Sequence, residues 1–306
     1  DHNRKLLKSI LDKKIRLIDY EYLTSDDNAR VVAFGKWAGI VGAYNGLLGY
    51  GKRFHKFHLK PAWQCRDKAE LFNELKKVKT GKLKIVITGG GRVAHGAMET
   101  LVAAGIKKVN PEEFLKKEYS EAVFTQLDPW HYVKRIDEQE FELMHFFNFP
   151  EEYQTTFPPY TKAADMFIAC HFWDPRSPVF MTKEDMKSEE FRIKIIADVS
   201  CDIEGPIPST LRASSISEPF YGYDPINENE SDPWLSKNIT VMAVDNLPGE
   251  LPRDASKDFG QKLLTEVIPY LLGAKKGQII ERATIAEEGK LTYKFNYLED
   301  FIQGLE

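Results

Sequence analysis

A group of glycines at residues 89–91 is the part of the sequence with the most specific chemistry. Gly89, Gly90 and Gly91 follow an apolar run at residues 83–87, and Gly96 comes five residues later. Backbone without Cβ atoms can turn tightly and approach a diphosphate, and a helix that begins there offers N–H groups to the phosphates. The pattern therefore predicts a dinucleotide-binding turn. Its spacing, G-x-G-x-x-x-x-G, differs from the common G-x-G-x-x-G, so a glycine turn of another α/β protein is the alternative.

The residues on both sides of the glycines predict the strand and the helix that such a turn requires. Residues 83–87 are rich in β-branched side chains, as is typical of a buried parallel strand. After the glycines, apolar residues recur at helical spacing as far as Gly105, where a helix can end. Strand, glycine turn and helix in this order favour the dinucleotide interpretation.

Three later apolar runs end in polar residues and are predicted as further parallel strands. Ligands of open α/β sheets bind beyond the carboxyl ends of the strands. We therefore expect these ends to line one cleft together with the glycine turn. The polar ends are Cys170-His171, residues 198–202 and Asp245-Asn246.

The sequence leaves the choice between NAD and NADP open. Residues 107–109 are predicted as the second strand, and its end lies about 20 residues past Gly89, where an NAD-binding fold often has an acid for the ribose hydroxyls. Asn110 stands there instead, followed by Pro111, Glu112 and Glu113. No arginine follows that could bind a 2′-phosphate.

Residues 35–51 carry glycines at intervals of four and three, which places them along one stripe of a helix. Glycine in a helix interior costs about 1 kcal/mol relative to alanine, so the stripe should have a packing reason. We predict a long helix that bridges two domains, with an irregular glycine loop as the alternative. The glycines are Gly35, Gly39, Gly42, Gly46 and Gly49.

Length and composition indicate a globular protein of two ordinary domains. The 42 basic and 46 acidic side chains give a net charge of −4, which argues against nucleic acid as a partner. The longest weakly polar run, residues 37–50, is too short to span a bilayer. The three cysteines are far apart and have no zinc spacing, so we predict free thiols, no metal site and a cytoplasmic location. The chain begins at Asp1 without a methionine, so the sequence leaves open whether an upstream segment is missing.

Several runs resemble the lysine-forming saccharopine dehydrogenases and the lysine–2-oxoglutarate reductase part of the aminoadipic semialdehyde synthases, which are relatives of alanine dehydrogenase. The resemblance covers nearly the whole chain. Its most specific parts are residues 30–35 and the Asp-Asn-Leu-Pro run at 245–248. The other matching runs are residues 15–23, 88–96, 197–202, 205–207 and Leu251-Pro252.

The resemblance implies an α/β fold of the alanine dehydrogenase type, with a Rossmann-like parallel-sheet domain and a second α/β domain. We predict the NAD(P)-binding Rossmann domain at residues 79–248. Residues 1–78 would be the remainder of an N-terminal substrate domain with a linking helix, and residues 249–306 would return to that first domain. Within it, residues 15–23 and 30–34 are predicted as two strands joined by a turn.

The resemblance also implies a reaction, the NAD(P)-dependent interconversion of saccharopine with lysine plus 2-oxoglutarate by hydride transfer at a secondary amine. The partner would be a small amino-acid or keto-acid substrate, and a homo-oligomer is compatible with the sequence. An alanine dehydrogenase-like enzyme and a non-catalytic NAD(P)-binding module are the alternatives. The second arises because the family's acid–base lysine and histidine precede the segment that matches this chain, and His2 does not align with that histidine.

Residue by residue, the resemblance implies two sets of site residues. Glu21, Arg30 and Asp245 match charged positions near the substrate and the nicotinamide, which makes them the candidate catalytic residues. The candidate cofactor-binding residues are Gly89, Gly91, Arg92, Val93 and Gly96 at the glycine turn, Ser200 and Asp202 at one strand end, and Asn246 and Leu247 at another.

Overall fold

Alternating strands and helices dominate the computed structural model, which describes residues 2–26, 28–275 and 277–305. The helices are α1 (His2–Asp12), α2 (Gly35–Arg53), α3 (Lys68–Leu75), α4 (Arg92–Ala103), α5 (Pro111–Lys116), α6 (Pro129–Tyr132), α7 (Leu143–Asn148), α8 (Pro158–Ala163), α9 (Lys183–Lys187), α10 (Pro252–Lys262), α11 (Ile268–Leu271), α12 (Ile279–Ala283) and α13 (Glu299–Gln303). The strands are β1 (Leu17–Ile18), β2 (Lys84–Thr88), β3 (Lys107–Lys108), β4 (Val123–Leu127), β5 (Val133–Arg135), β6 (Tyr153–Thr155), β7 (Met166–Ala169), β8 (Ile195–Asp198), β9 (Phe220–Asp224), β10 (Asn229–Ser231), β11 (Ile239–Met242), β12 (Thr284–Glu287) and β13 (Lys290–Leu291).

The chain forms two compact units, one of residues 1–34 with 256–306 and a larger one of residues 35–255. They divide the chain after residues 34 and 255, whereas the predicted domain boundaries, which stay a prediction, fall after residues 78 and 248. Among the helices of the described ranges, none combines the length and the apolar character that crossing a lipid bilayer would require.

An eight-stranded sheet forms the centre of the larger unit, in the order β10-β9-β11-β8-β7-β2-β4-β3. The six strands from β11 to β3 are parallel to one another, and β9 and β10 add an antiparallel edge. Strand β2 is buried along its whole length between β4 and β7. The predicted α/β fold with a parallel sheet is confirmed, and the carboxyl ends of β2, β7, β8 and β11 lie at one edge.

The strand beside β2 is not the one that the sequence predicted. Strand β3 is two exposed lysines at the sheet edge, and it pairs with the outer side of β4. Strand β4 is buried at four of its five residues and occupies the inner position, because only an apolar strand can fill it. The polar residue that follows the neighbouring strand is therefore Asp128, and the expectation that Asn110 marks this position was wrong.

Helix α2 gives the glycine stripe its packing reason. A Cβ atom on Gly39 would lie 1.8 Å from the backbone oxygen of Val93 on α4, and one on Gly46 would lie 3.3 Å from Ala197 of β8. Conversely, a Cβ atom on Gly96 of α4 would lie 2.1 Å from the backbone oxygen of Lys36. The predicted long helix is confirmed, but the prediction that it bridges two domains was wrong, because α2 lies wholly within the larger unit.

The smaller unit contains the three-stranded antiparallel sheet β1-β12-β13. Its core includes Leu23, Val32, Val267 and Ile280. The predicted strand at residues 15–23 was mostly wrong, since β1 covers two residues and a 3₁₀ helix, Tyr20–Tyr22, follows it. Residues 30–34 form no strand beyond an isolated bridge of Arg30 to Thr24.

Candidate functional site

Two of the three glycines after β2 are required by the protein's own packing. Gly89 has φ +95, and a Cβ atom there would lie 2.5 Å from the backbone oxygen of Cys170. Its N–H donates to the oxygen of Leu127 at 2.8 Å. A Cβ atom on Gly90 would lie 2.3 Å from Oδ1 of Asp128. The turn is thus fitted closely between the ends of β4 and β7.

The third glycine, Gly91, is different because its surroundings are open. A Cβ atom on Gly91 would have no neighbouring atom within 4 Å. Gly91 is the N-cap of the 12-residue helix α4, and this N-cap residue makes no side-chain capping hydrogen bond. The first N–H groups of a helix have no intrahelical acceptor and carry a partial positive charge, so an uncapped terminus in open space can bind an anion.

The remaining residues predicted at this turn lie on α4. Arg92 is its first residue and is exposed, and Val93 follows and is half-buried. Gly96 is buried against α2, where a Cβ atom on it would lie 2.1 Å from the backbone oxygen of Lys36. The geometry gives Gly96 a role in helix packing, and a role toward a diphosphate stays a prediction.

Asp128 is a candidate that the sequence analysis missed. It follows β4 directly, is half-buried, and has its carboxylate beside Gly90. Helix α6 begins at the next residue, Pro129, which identifies Asp128 as its N-cap. Gln126, two residues earlier, donates from Nε2 to the oxygen of Gly89 at 3.1 Å. The sequence signal was available as an apolar run, residues 123–127, that ends in Asp-Pro.

Cys170 and His171 lie at the predicted edge but point into the protein. His171 is buried, and its Nδ1 shares a 2.7 Å hydrogen bond with Oγ1 of Thr88, the last residue of β2. Burial lowers the pKa of His171 to about 3 and raises that of the Cys170 thiol. Both side chains are therefore neutral, and the two residues pack against the glycine turn from inside the protein.

The ends of β8 and β11 bring several carboxylates together. Asp202 is half-buried, and burial followed by the charge of Asp198 raises its pKa, although a hydrogen bond with Ser200 opposes the change. Burial and the charges of Asp198, Asp245 and Asp202 raise the pKa of Cys201 to about 11. These three carboxylates thus lie around one thiol.

Asn246 and Leu247 follow Asp245 in a loop that leads into a 3₁₀ helix, Leu247–Glu250. Asp245 and Asn246 are exposed, so both can reach a ligand. Leu247 is buried and lies 3.4 Å from the position of a Cβ atom on Gly42 of α2. Leu247 therefore anchors the loop, and a direct cofactor contact by it stays a prediction.

Glu21 and Arg30 lie together in the smaller unit. Their charged atoms, Oε2 and Nη1, are 3.8 Å apart, and both side chains are more than half exposed. Asp245, the third predicted catalytic residue, belongs to the larger unit. The structure thus brings Glu21 and Arg30 together within one unit. For a metal ion, the described residues contain no cluster of three histidine, cysteine or acidic side chains that could hold one.

No family model matches the chain. The chain is 27% identical, over an alignment of 359 positions, to the mitochondrial alpha-aminoadipic semialdehyde synthase of Mus musculus. The alignment covers 99% of this chain and 38% of that protein. The chain is also 29% identical over 275 residues to the saccharopine dehydrogenase [NAD(+), L-lysine-forming] of Candida glabrata, covering 85% of this chain and 63% of the relative. The chain thus spans well under half the length of the synthase.

Among solved structures, an L-alanine dehydrogenase is similar with a TM-score of 0.56 at 15% identity, covering 98% of this chain and 73% of that one. This likeness concerns the fold. The names of the homologues confirm the resemblance to saccharopine dehydrogenases and aminoadipic semialdehyde synthases, and the solved structure confirms a fold like that of alanine dehydrogenase.

Proposed function

We propose that this chain binds a nicotinamide dinucleotide at the Gly89–Gly91 turn and is part of an oxidoreductase of the saccharopine dehydrogenase type, acting on a CH–NH bond. The observation that carries the proposal is the open, uncapped N-terminus of α4 at Gly91. The names of the homologues support the same chemistry.

The residues at the turn fit a diphosphate. Gly91 leaves the space that a phosphate oxygen needs, while Gly89 and Gly90 let the turn sit between β4 and β7. The N-terminus of α4 supplies N–H donors and a favourable dipole for two negative charges. When bound, the nicotinamide would supply the hydride acceptor or donor.

Asp128 supports NAD(H) rather than NADP(H). An acid that follows the strand beside the glycine strand can accept hydrogen bonds from the ribose hydroxyls of NAD. The same carboxylate would repel the 2′-phosphate of NADP, because two negative charges a few ångströms apart disfavour each other. The Candida glabrata relative carries NAD(+) in its name, in agreement with this assignment.

The proposed substrate is an amino acid with its keto-acid partner, as saccharopine with lysine and 2-oxoglutarate would be. Asp245 is exposed at the end of β11 and can accept a hydrogen bond from a substrate ammonium group. Arg30 can pair with a substrate carboxylate, and Glu21 beside it would orient the guanidinium. These three residues remain the proposed catalytic residues on the strength of the resemblance.

The cysteines bear on the cellular compartment of the protein. Cys65, Cys170 and Cys201 are all free thiols, which supports a reducing compartment. The cytoplasm stays our prediction for this compartment, and the oligomeric state stays open.

The test combines binding and turnover. NADH and NADPH are titrated into the chain, and their oxidation is followed with lysine plus 2-oxoglutarate and, separately, with pyruvate plus ammonia. We expect NADH binding. Turnover with the first pair would support the saccharopine dehydrogenase type, and binding without turnover would support the non-catalytic NAD(P)-binding module. Turnover with pyruvate and ammonia alone would favour the alanine dehydrogenase-like alternative, and absence of binding by either dinucleotide would contradict the proposal.

A further inference from the structure

Asp198 is a fully buried carboxyl group at the end of β8 whose hydrogen-bond donors are neutral. Its side chain has no exposed surface. Oδ1 accepts from Oγ of Ser200 at 2.7 Å and from the N–H of Cys201 at 3.0 Å, and Oδ2 accepts from Oγ1 of Thr210 at 2.6 Å. Burial raises the pKa of Asp198, and these hydrogen bonds oppose the rise. An acid is buried in this way only where its hydrogen bonds compensate for the lost water.

The turn that Asp198 holds is strained. Cys201 has φ +55, in the left-handed region that residues other than glycine seldom adopt, and Glu204 has the same value. Such conformations persist where the surroundings impose them, and they are found preferentially at functional sites. Here the hydrogen bond from the N–H of Cys201 to Asp198 imposes it, together with the 3.2 Å contact of Cys201 Sγ to the oxygen of Ala243.

The order of the strands places this turn on one side of the glycine turn. Strand β4, which precedes Asp128, lies on one side of β2, whereas β7 and then β8 lie on the other. A dinucleotide with its diphosphate at Gly91 and its adenosine ribose at Asp128 would therefore extend its nicotinamide end across β7 toward β8.

We propose that Asp198 is a positioning residue for the nicotinamide end of the dinucleotide. Its hydrogen bonds hold the Ser200–Asp202 turn in the strained conformation that receives this end. Because it is fully buried, Asp198 acts through the turn and does not touch the ligand. The inference rests on the proposed dinucleotide binding, and it assigns the acid a role through hydrogen bonding, separate from its charge.

The test measures the affinities for NADH and for ADP-ribose separately by calorimetry, since ADP-ribose lacks the nicotinamide. In Asp198→Ala we expect NADH to bind about tenfold more weakly, which corresponds to the loss of roughly one hydrogen bond. The affinity for ADP-ribose should stay within about twofold of wild type. Asp198→Asn keeps an acceptor oxygen for the N–H of Cys201 and should retain most of the affinity.

Asp224→Ala is the matched control. Asp224 is also buried and also holds a turn through hydrogen bonds, and it has in addition an ion pair with Lys237. It is the last residue of the antiparallel strand β9, next to Tyr223, which pairs with the first residue of β11, so it lies at the opposite edge of the sheet. This variant should change neither affinity. Should Asp198→Ala fail to fold, Thr210→Val is the second variant, since it removes one hydrogen-bond donor to Asp198 at nearly constant volume. It should lower the affinity for NADH alone, by a smaller factor than Asp198→Ala.

An equal loss of affinity for both ligands in Asp198→Ala, or unchanged NADH binding, would overturn the inference while leaving the proposed function intact. A wild-type chain that binds neither ligand would overturn the proposed function and this inference with it.

Discussion

The substitution Gly91→Val tests the diphosphate site with little effect on the fold. Gly91 has φ −87 and ψ −167, which valine adopts readily, and its Cβ atom would have no neighbour within 4 Å. Valine is a poorer N-cap residue than glycine, so we expect the free energy of unfolding to fall by no more than about 1 kcal/mol. The space that the side chain fills is the space proposed for a phosphate oxygen.

The effect on binding should be much larger. If the displaced diphosphate loses one or two hydrogen bonds between its charged oxygens and backbone N–H groups, at about 1.5–3 kcal/mol each, the loss is about 3 kcal/mol. Since each 1.4 kcal/mol corresponds to about tenfold in affinity, NADH should bind about 100-fold more weakly.

The assay is an NADH titration by fluorescence, paired with thermal unfolding. Gly96→Val gives the opposite pattern, a large loss of stability, because its side chain would collide with the backbone of Lys36 at 2.1 Å. Gly260→Val, at an open position of α10, is the matched control and should leave both quantities near wild type. Wild-type affinity in a folded Gly91→Val protein would refute the proposed diphosphate site.

Two further predictions concern single carboxylates. Asp128→Ser should reduce the preference for NADH over NADPH by at least about tenfold, as the repulsion of the 2′-phosphate is removed; an unchanged ratio of dissociation constants would exclude Asp128 from the ribose site. Burial raises the pKa of Glu250 above its ordinary value of 4.5, to about 7, so its contribution to stability is fully present below pH 4.5 and is lost as pH rises through 7. Chemical unfolding at pH 4.5 and pH 8 should show a loss of up to about 3 kcal/mol that Glu250→Gln abolishes, and an equal loss in both proteins would contradict the assignment.

The strand, the glycine turn and α4 could be predicted because their signals are local. Residues 83–105 contain an apolar run, three glycines and a helical repeat in immediate succession, and each feature agrees with the others. The glycine stripe of α2 was predictable for the same reason, although the partners of its glycines, Val93 and Ala197, were not.

Strand pairing is not local, and this is why Asp128 was missed. The short edge strand β3 and helix α5 intervene between α4 and β4, so the distance along the chain to the ribose position exceeds the usual one. The burial of polar side chains could not be predicted from the sequence either. The sequence places His171 and Asp198 at strand ends, but only the structure shows that both are turned inward and held by neighbouring hydroxyl groups.

The close contact of α2 with α4 has a consequence for how a ligand is accommodated. Glycines at the crossing bring the two backbones together, and Oγ1 of Thr100 on α4 donates to the oxygen of Ile40 on α2 at 3.1 Å. Helices in backbone contact cannot slide past one another without steric collision. The N-terminus of α4 is thus preorganised, and any rearrangement that accompanies ligand capture must occur outside this helix pair.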